Sequence, residues 1–282
     1  MKQIVPTEGS NAQARSFEAN GVQMKKVLSI AGSDSGGGAG IQADIKTVTA
    51  HRLYAMTAVT SLTAQNTLGV QEIFPVDPSF LKQQLDSVFT DLFPDSVKIG
   101  MLCSAPLAGA VADCLELYRP KHIVLDPVLL STSGNRLLDD DAVELLIRRL
   151  FPLADLITPN LLEAERISGL AIRSRAESER AARAIAGQGG CAVLIKGGHW
   201  TGSADDLLFD GERMHWFPAE RVDNPNTHGT GCTLSSAIAC RLAQGYTLRE
   251  SILLAKEYLT GALRAGLDLG QGSGPLNHCY AL

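Results

Sequence analysis

The chain has 282 residues, of which 45% are hydrophobic and 20% are charged, and its formal net charge is −5. This length fits one large α/β domain or two small domains. No basic stripe occurs, which argues against a surface for a nucleic-acid polymer or a basic helix that lies on a membrane. No apolar stretch approaches the roughly 18 residues of a membrane span.

The first 23 residues are polar and mixed in charge, without the apolar segment of a secretory signal. We expect them to form a poorly ordered extension, and residues 24–282 to form a single domain. The six cysteines are scattered and include no C-x-x-C pair, which favours free thiols in a reducing compartment. The sequence therefore predicts a cytoplasmic protein with no membrane partner.

Short apolar runs of strand length alternate with amphipathic helical segments along the chain. The predicted strands are 27–31, 55–62, 96–99, 122–125, 156–158, 192–195, 207–209 and 214–217. The predicted helices are 40–51, 78–92, 105–118, 140–150, 161–167, 176–186, 230–244 and 248–263. This order is typical of an α/β fold of three layers, in which helices cover both faces of a mostly parallel sheet. Asp210-Gly211 indicates a hairpin that adds an antiparallel edge.

A glycine-rich loop, GSDSGGGAG at residues 32–40, follows the first predicted strand. Gly38, Gly40 and Ala43 match the G-x-G-x-x-A pattern of dinucleotide-binding proteins. The loop is too long for that motif, and no acidic residue lies about 20 positions further on, so an NAD-dependent oxidoreductase is disfavoured. Because glycine has no Cβ atom, a small ligand can approach this backbone closely.

A second glycine-rich segment, NTHGTGCT at residues 226–233, leads directly into an apolar-striped helix. Backbone N–H groups at Gly229 and Gly231 would face outward at the positive end of this helix, where they can bind phosphate and stabilise a transferring phosphoryl group. The alternative is an ordinary turn capped by Thr230 or Thr233. The chain has no G-x-x-x-x-G-K-[ST] segment, which excludes a P-loop.

Two other segments lie at predicted strand ends, where open α/β sheets bind ligands. Asn160 and Glu163 are three residues apart at the start of a helix, and their oxygens suit a hydrated Mg²⁺ ion. The same spacing also makes a capping box, and the two interpretations are compatible. Lys196 ends another strand and could act as a point charge on phosphates, or it could simply be solvated.

Together these segments resemble the vitamin-kinase branch of the ribokinase superfamily. Residues 226–232 are similar to its D-T-x-G-A-G-D anion-hole motif, and residues 160–163 are similar to its N-x-x-E magnesium motif. Seven segments, in order, resemble the hydroxymethylpyrimidine/phosphomethylpyrimidine kinases: 31–44, 65–67, 98–101, 125–128, 157–163, 196–199 and 226–233. The resemblance runs from about Val27 to the C-terminus. It implies a ribokinase-like fold, a homodimer, and phosphorylation of a pyrimidine alcohol and then of its monophosphate for thiamine biosynthesis, with ATP and Mg²⁺.

The resemblance also implies roles for individual residues. The pyrimidine pocket would be lined by Gly32, Ala39, Gln65, Met101 and Val128. The nucleotide would be bound by Thr227, Thr230 and Lys196, and Mg²⁺ would be organised by Asn160 and Glu163. Catalysis would involve Cys232, Lys196, Asp44, Gly229 and Gly231. In this set Asp44 and Lys196 would lie near the acceptor hydroxyl and the phosphates.

Cys232 stands where most of the superfamily has an aspartate as general base. A thiol at a helix N-terminus is expected to have a lowered pKa, so a thiolate could accept the proton of the substrate hydroxyl.

Two alternatives remain open on the sequence alone. The first is pyridoxal or pyridoxamine kinase of the same branch, although Gln65 and Met101 favour the pyrimidine. The second is a nucleotide- or vitamin-binding regulator without catalysis. The presence of Asp44, Glu163 and Lys196 beside Cys232 favours an enzyme, because a binding protein needs no such set.

Overall fold

The computed structural model describes residues 24–129, 140–198 and 203–282. The extension expected at residues 1–23 lies outside the described residues, as does His199 of the segment 196–199. In the described part of the chain, no helix has the length and apolar character needed to cross a membrane.

The strands and helices of these residues alternate as predicted. The strands are β1 Lys26–Asp34, β2 Tyr54–Asn66, β3 Gly69–Pro75, β4 Ser96–Ile99, β5 Ile123–Leu125, β6 Leu156–Ile157, β7 Ala192–Ile195, β8 Asp206–Phe209 and β9 Met214–Phe217. The helices are α1 Gly40–Ala50, α2 Pro78–Asp91, α3 Ala105–Tyr118, α4 Asp140–Leu145, α5 Leu161–Ser168, α6 Arg175–Gly189, α7 Thr230–Ala243 and α8 Leu248–Arg264.

The described strands form one sheet in the order β3-β2-β1-β4-β5-β6-β7-β8-β9. Strands β2, β1, β4, β5, β6 and β7 pair in parallel. The predicted hairpin of β8 and β9 is confirmed as an antiparallel edge. The opposite edge is also antiparallel, since β3 pairs with β2, and the sequence prediction missed it. Strand β3 has no buried residue. Because it buries no apolar face, its sequence carries no apolar run of the kind by which the other strands were recognised.

Successive residues of the central strands contribute to two separate hydrophobic clusters, one on each face of the sheet. Leu28 and Ile30 pack in a cluster with α2, α3, α5 and α6. Val27 and Val124 pack in a second cluster with α1, α7 and α8. The period-two alternation of side chains in a strand produces this division. The predicted three-layer α/β architecture is therefore confirmed.

Three predicted helices differ in detail. In α2 the buried residues include Phe89, whereas Leu92, predicted on the buried face, lies just after the helix and is 40% exposed. The predicted helix 140–150 is α-helical only to Leu145 and continues as a π-helical turn, Leu146–Leu150. Helix α6 does not stop at Gly187 but continues to Gly189, and its C-cap Gly190 has a φ of +72°, the left-handed conformation that ends a helix.

The C-terminal segment is attached to α7 by a buried histidine. His278 is 3% exposed, and its Nε2 atom lies 2.9 Å from the Thr233 hydroxyl of α7. Burial lowers the pKa of His278 from 6.5 to about 4, and the nearby charge of Lys46 acts in the same direction. The folded protein therefore holds this imidazole neutral at a pH where an exposed histidine would be charged.

We expect the free energy of unfolding to decrease as the pH falls from about 6.5 to about 4, because the unfolded chain binds a proton at His278 that the folded chain excludes. The difference in pKa corresponds to a loss of up to about 3 kcal/mol. Urea denaturation at several pH values measures it. A His278→Gln variant, which cannot be protonated but can still bond to Thr233, should lose less stability across this interval. An identical pH slope for both proteins would contradict the assignment.

Candidate active site

A cavity of about 600 Å³ opens at the carboxyl ends of the parallel strands. Every predicted site residue except Asp44 lines it. These residues are Gly32, Ala39, Gln65, Met101, Val128, Asn160, Glu163, Lys196, Thr227, Gly229, Thr230, Gly231 and Cys232. The rule that ligands bind outside the carboxyl ends of strands therefore located the cavity correctly.

The turn before α7 packs against the glycine-rich loop of residues 32–40. Gly229 is the N-cap of α7 and has a φ of +86°, and a Cβ atom there would overlap the carbonyl oxygen of Gly38. Only glycine satisfies both conditions. No side chain caps α7, so neither Thr230 nor Thr233 occupies its first N–H groups as a cap. The turn therefore offers the kind of helix N-terminus that binds a phosphoryl group.

Lys196, Asp126 and Glu163 form a largely buried cluster of charged side chains in the cavity lining. The Lys196 Nζ atom lies 2.6 Å from Asp126 Oδ1 and 3.9 Å from Glu163 Oε2. Although burial acts to lower the pKa of Lys196, the two carboxylates raise it above its usual value, so the ammonium stays charged. A Cβ atom on Gly231 would lie 3.3 Å from both Asp126 Oδ2 and Lys196 Nζ. The cluster therefore lies directly beside the α7 turn.

Asn160 and Glu163 form the capping box that the sequence allowed. Asn160 Oδ1 accepts a hydrogen bond of 2.9 Å from the Glu163 N–H, and Glu163 Oε2 accepts one of 2.7 Å from the Asn160 N–H. Burial raises the pKa of Glu163 to about 7; Asp126 adds to this effect and Lys196 opposes it. Both side chains cap α5 and also line the cavity.

A metal cage made only of protein groups is absent from the described residues, in which no three His, Cys, Asp or Glu side chains converge. Asn160 and Glu163 each use one oxygen in the capping box and retain acceptor capacity. This donor set fits a hydrated Mg²⁺ ion, which takes its remaining ligands from water and phosphate.

The other end of the cavity is built from the glycine-rich loop and the end of β2. The Asp34 carboxylate accepts hydrogen bonds of 2.8–3.0 Å from three loop N–H groups and lies 2.9 Å from His228 Nε2. Burial acts to raise the pKa of Asp34, but these bonds lower it overall. The Gln65 amide lies 3.3 Å from the same His228 nitrogen and accepts a bond from Thr63. His228 therefore connects the turn before α7 to the predicted pyrimidine pocket.

Gly32 and Met101 pack tightly within this pocket. A Cβ atom on Gly32 would lie 2.7 Å from both the Met101 Cε atom and the Ser61 hydroxyl. The missing side chain thus makes room for Met101, which lines the cavity with Val128 and Ala39.

Asp44 does not lie at the acceptor-hydroxyl position implied by the resemblance. It is 1% exposed on α1, and its two oxygens accept hydrogen bonds of 2.9 and 2.8 Å from Lys98 Nζ. The hydroxyls of Ser29 and Ser236 donate to the same carboxylate at 2.5 and 2.6 Å. With its acceptor positions engaged in the protein interior, Asp44 has no contact with the cavity, and its expected place there is corrected.

The expected lowering of the Cys232 pKa is also wrong. Cys232 lines the cavity at the start of α7 and is half-buried. Burial raises the pKa of its thiol above the ordinary value, Asp44 and Asp126 add to this effect, and Lys98 opposes it. Desolvation therefore outweighs the favourable position at the helix N-terminus.

Among the cavity residues that were not identified as site residues from the sequence are Asp34, Asp126 and His228. Asp126 directly follows β5, so the rule that identified Lys196 at the end of β7 would have found it. An aspartate two residues before a glycine, as at Asp34, indicates a side chain that binds its own turn. His228 has no local signal, because its partners Asp34 and Gln65 are distant in sequence.

Comparison with known proteins is consistent with this geometry. The model of the phosphomethylpyrimidine kinase family matches residues 34–277. The hydroxymethylpyrimidine/phosphomethylpyrimidine kinase of Rhizobium meliloti is 50% identical over 90% of this chain and 96% of that protein. The thiamine biosynthesis bifunctional protein ThiED of Geobacter sulfurreducens is 52% identical over 90% of this chain, which spans only 52% of that longer protein.

Solved structures agree with the sequence relatives. The phosphomethylpyrimidine kinase of Clostridium difficile is 43% identical with a TM-score of 0.75, covering 84% of this chain and 98% of that one. The pyridoxal kinase of Bacillus subtilis, solved as an ADP complex, is 37% identical with a TM-score of 0.85, covering 91% and 98%. The predicted ribokinase-like fold is confirmed, and the chain belongs to the phosphomethylpyrimidine kinase family.

Proposed function

We propose that this protein transfers the γ-phosphoryl group of ATP to hydroxymethylpyrimidine, and then phosphorylates the monophosphate to the diphosphate, for thiamine biosynthesis. The observation that carries the proposal is one cavity whose lining includes both Gln65 and Met101, which we assign to the heteroaromatic ring, and the uncapped turn of α7. Lys196 lies beside this turn, charged and paired with Asp126. Family membership supports the same kinase activity.

In each transfer an oxygen of the acceptor attacks the γ-phosphorus and a new P–O bond forms. The bond between the γ-phosphorus and the oxygen that bridges the β- and γ-phosphates breaks, and ADP is released. Backbone N–H groups at Gly229 and Gly231, with the Lys196 ammonium, stabilise the charge on the transferring group. In the first transfer the hydroxyl proton must leave, and the thiolate of Cys232 at the start of α7 is the proposed acceptor.

ATP use is supported by other residues of the cavity lining. These include the apolar side chains of Val222, Leu259 and Leu263, which suit the flat face of an adenine. The pyridoxal kinase of Staphylococcus aureus, 30% identical with a TM-score of 0.85, has been solved with AMP-PCP and pyridoxal together. Mg²⁺, organised by Asn160 and Glu163, would neutralise phosphate charge when bound.

We also propose that residues 24–282 act as one catalytic domain in a cytoplasmic homodimer. The β2–β3 edge supports self-association, because it exposes Leu62, Leu68 and Phe74 by 52%, 62% and 67%. Exposed apolar patches of this kind commonly mark protein contacts. All six cysteines are free, which is consistent with a reducing compartment.

A product assay tests the proposed function. The protein with ATP, Mg²⁺ and the aminopyrimidine alcohol should release two equivalents of ADP and yield first the monophosphate and then the diphosphate, resolved by chromatography. Pyridoxal is the comparison substrate, and it should turn over more slowly if Gln65 and Met101 select the pyrimidine. Faster turnover of pyridoxal would favour the alternative of a pyridoxal kinase, and no ADP release with either substrate would favour a regulator.

Replacement of Cys232 tests its proposed role as proton acceptor. We expect Cys232→Ala to lower turnover of the first transfer by about 100-fold, the range of general-base catalysis, with KM little changed. Because burial raises the pKa of the Cys232 thiol, turnover of the native protein should rise toward alkaline pH. This increase with pH should be absent in the variant. Cys279→Ala, which removes an exposed thiol outside the cavity, is the matched control. Turnover near that of the control would show that residue 232 contributes only its backbone.

A further inference from the structure

A buried ion pair that contacts no substrate position lies beneath the active site. Lys98 of β4 is 0% exposed, and its Nζ atom donates to both Asp44 oxygens. Burial acts to lower the pKa of Lys98, but Asp44 raises it above its usual value, so the pair is ionised. Apolar replacements of buried ion pairs are often as stable as the original. Stability alone therefore gives no reason for a charged pair here.

The position of the ion pair relative to α7 indicates a role other than stability. Ser236 lies one helical turn after Cys232, so the two side chains project from the same face of α7. The Ser236 hydroxyl donates to Asp44 Oδ1 at 2.6 Å. Asp44 and Lys98 therefore lie under the face of α7 that carries Cys232. On the other side of Lys98, a Cβ atom on Gly100 would lie 2.8 Å from Nζ, next to the cavity residue Met101.

Four charged groups lie around the first turns of α7, which carry Cys232. Asp44 bonds to Ser236 and pairs with Lys98, while Asp126 and Lys196 lie beside Gly231. Of these, Lys98 acts to lower the pKa of the thiol, whereas Asp44 and Asp126 act to raise it. The thiol in turn acts on the pKa of Lys196. In an interior of low dielectric constant such charges act strongly, because water does not screen them.

We propose that Lys98 and Asp44 are positioning residues that set the ionisation of Cys232 from the core side, with Lys98 favouring the thiolate and Asp44 favouring the thiol. This inference rests on the proposed function for its catalytic meaning, since there Cys232 accepts the proton. The ionisation of the thiol itself can be measured without catalysis.

The test is the pH dependence of Cys232 alkylation by iodoacetamide, quantified on its peptide by mass spectrometry, since only the thiolate reacts. We expect Lys98→Met to move the midpoint of the rate profile up by about one pH unit, and Asp44→Asn to move it down by a similar amount. A purely structural role would lower the stability of both variants without shifting the two midpoints in opposite directions. Shifts in the same direction, or no shift in either variant, would overturn the proposal.

Two further variants make the result independent of a folding defect. Ser236→Ala removes a hydrogen bond to Asp44 but retains both charges, so its midpoint should stay close to that of the native protein. If Lys98→Met does not fold, the double variant Lys98→Met/Asp44→Asn leaves no unpaired buried charge. Its midpoint should lie above that of Asp44→Asn, and equal midpoints would refute a role for Lys98. Circular dichroism confirms that each variant is folded over the pH range used.

The pH profile of kcat separates this inference from the proposed function. If Cys232 accepts the proton, the alkaline limb of kcat should move with the alkylation midpoint in each variant. Midpoints that shift as expected while the kcat profile stays fixed would support the inference about Lys98 and Asp44. The same result would contradict the proposed role of Cys232.

Discussion

The backbone of Gly229 and the carbonyl group of Gly38 lie so close together that no side chain fits between them. This contact joins two loops about 190 residues apart in the sequence, and a hydrogen bond between His228 and Asp34 holds it in register. One loop lines the part of the cavity where we propose that the ring binds, and the other presents the helix N-terminus. In the proposed function, backbone packing between these loops therefore sets the separation of the acceptor and the phosphoryl group.

Charge is arranged around the α7 turn in two layers. On the cavity side, Lys196 pairs with Asp126 and lines the cavity. On the core side, Lys98 pairs with Asp44 and has no access to ligand. The turn thus lies between an ion pair that lines the cavity and one that is buried in the core. The two pairs are not independent, because the Cys232 thiol of this turn also acts on the pKa of Lys196.

Much of this site could be predicted, because its residues follow strand ends and the carboxyl ends of parallel strands meet at one edge. That rule placed Lys196, Asn160 and Glu163 correctly in the cavity. It could not place Asp44, which lies on a helix and whose partner Lys98 is distant in sequence. It also could not give the sign of the Cys232 pKa, since desolvation depends on tertiary packing. Strand β3 was missed because it buries no apolar face.

The hydrogen bonds of Asp34 affect the thermodynamics of ligand binding. A single carboxylate accepts hydrogen bonds from three N–H groups of the loop backbone, those of Gly36, Gly38 and Ala39, before any ligand binds. A flexible glycine segment would lose conformational entropy on closing around a ring, at about 1–2 kcal/mol for each residue ordered. Here most of that entropy has already been lost in folding. Affinity for a small ring can therefore come from a few contacts, and release of the product need not wait for the loop to reorder.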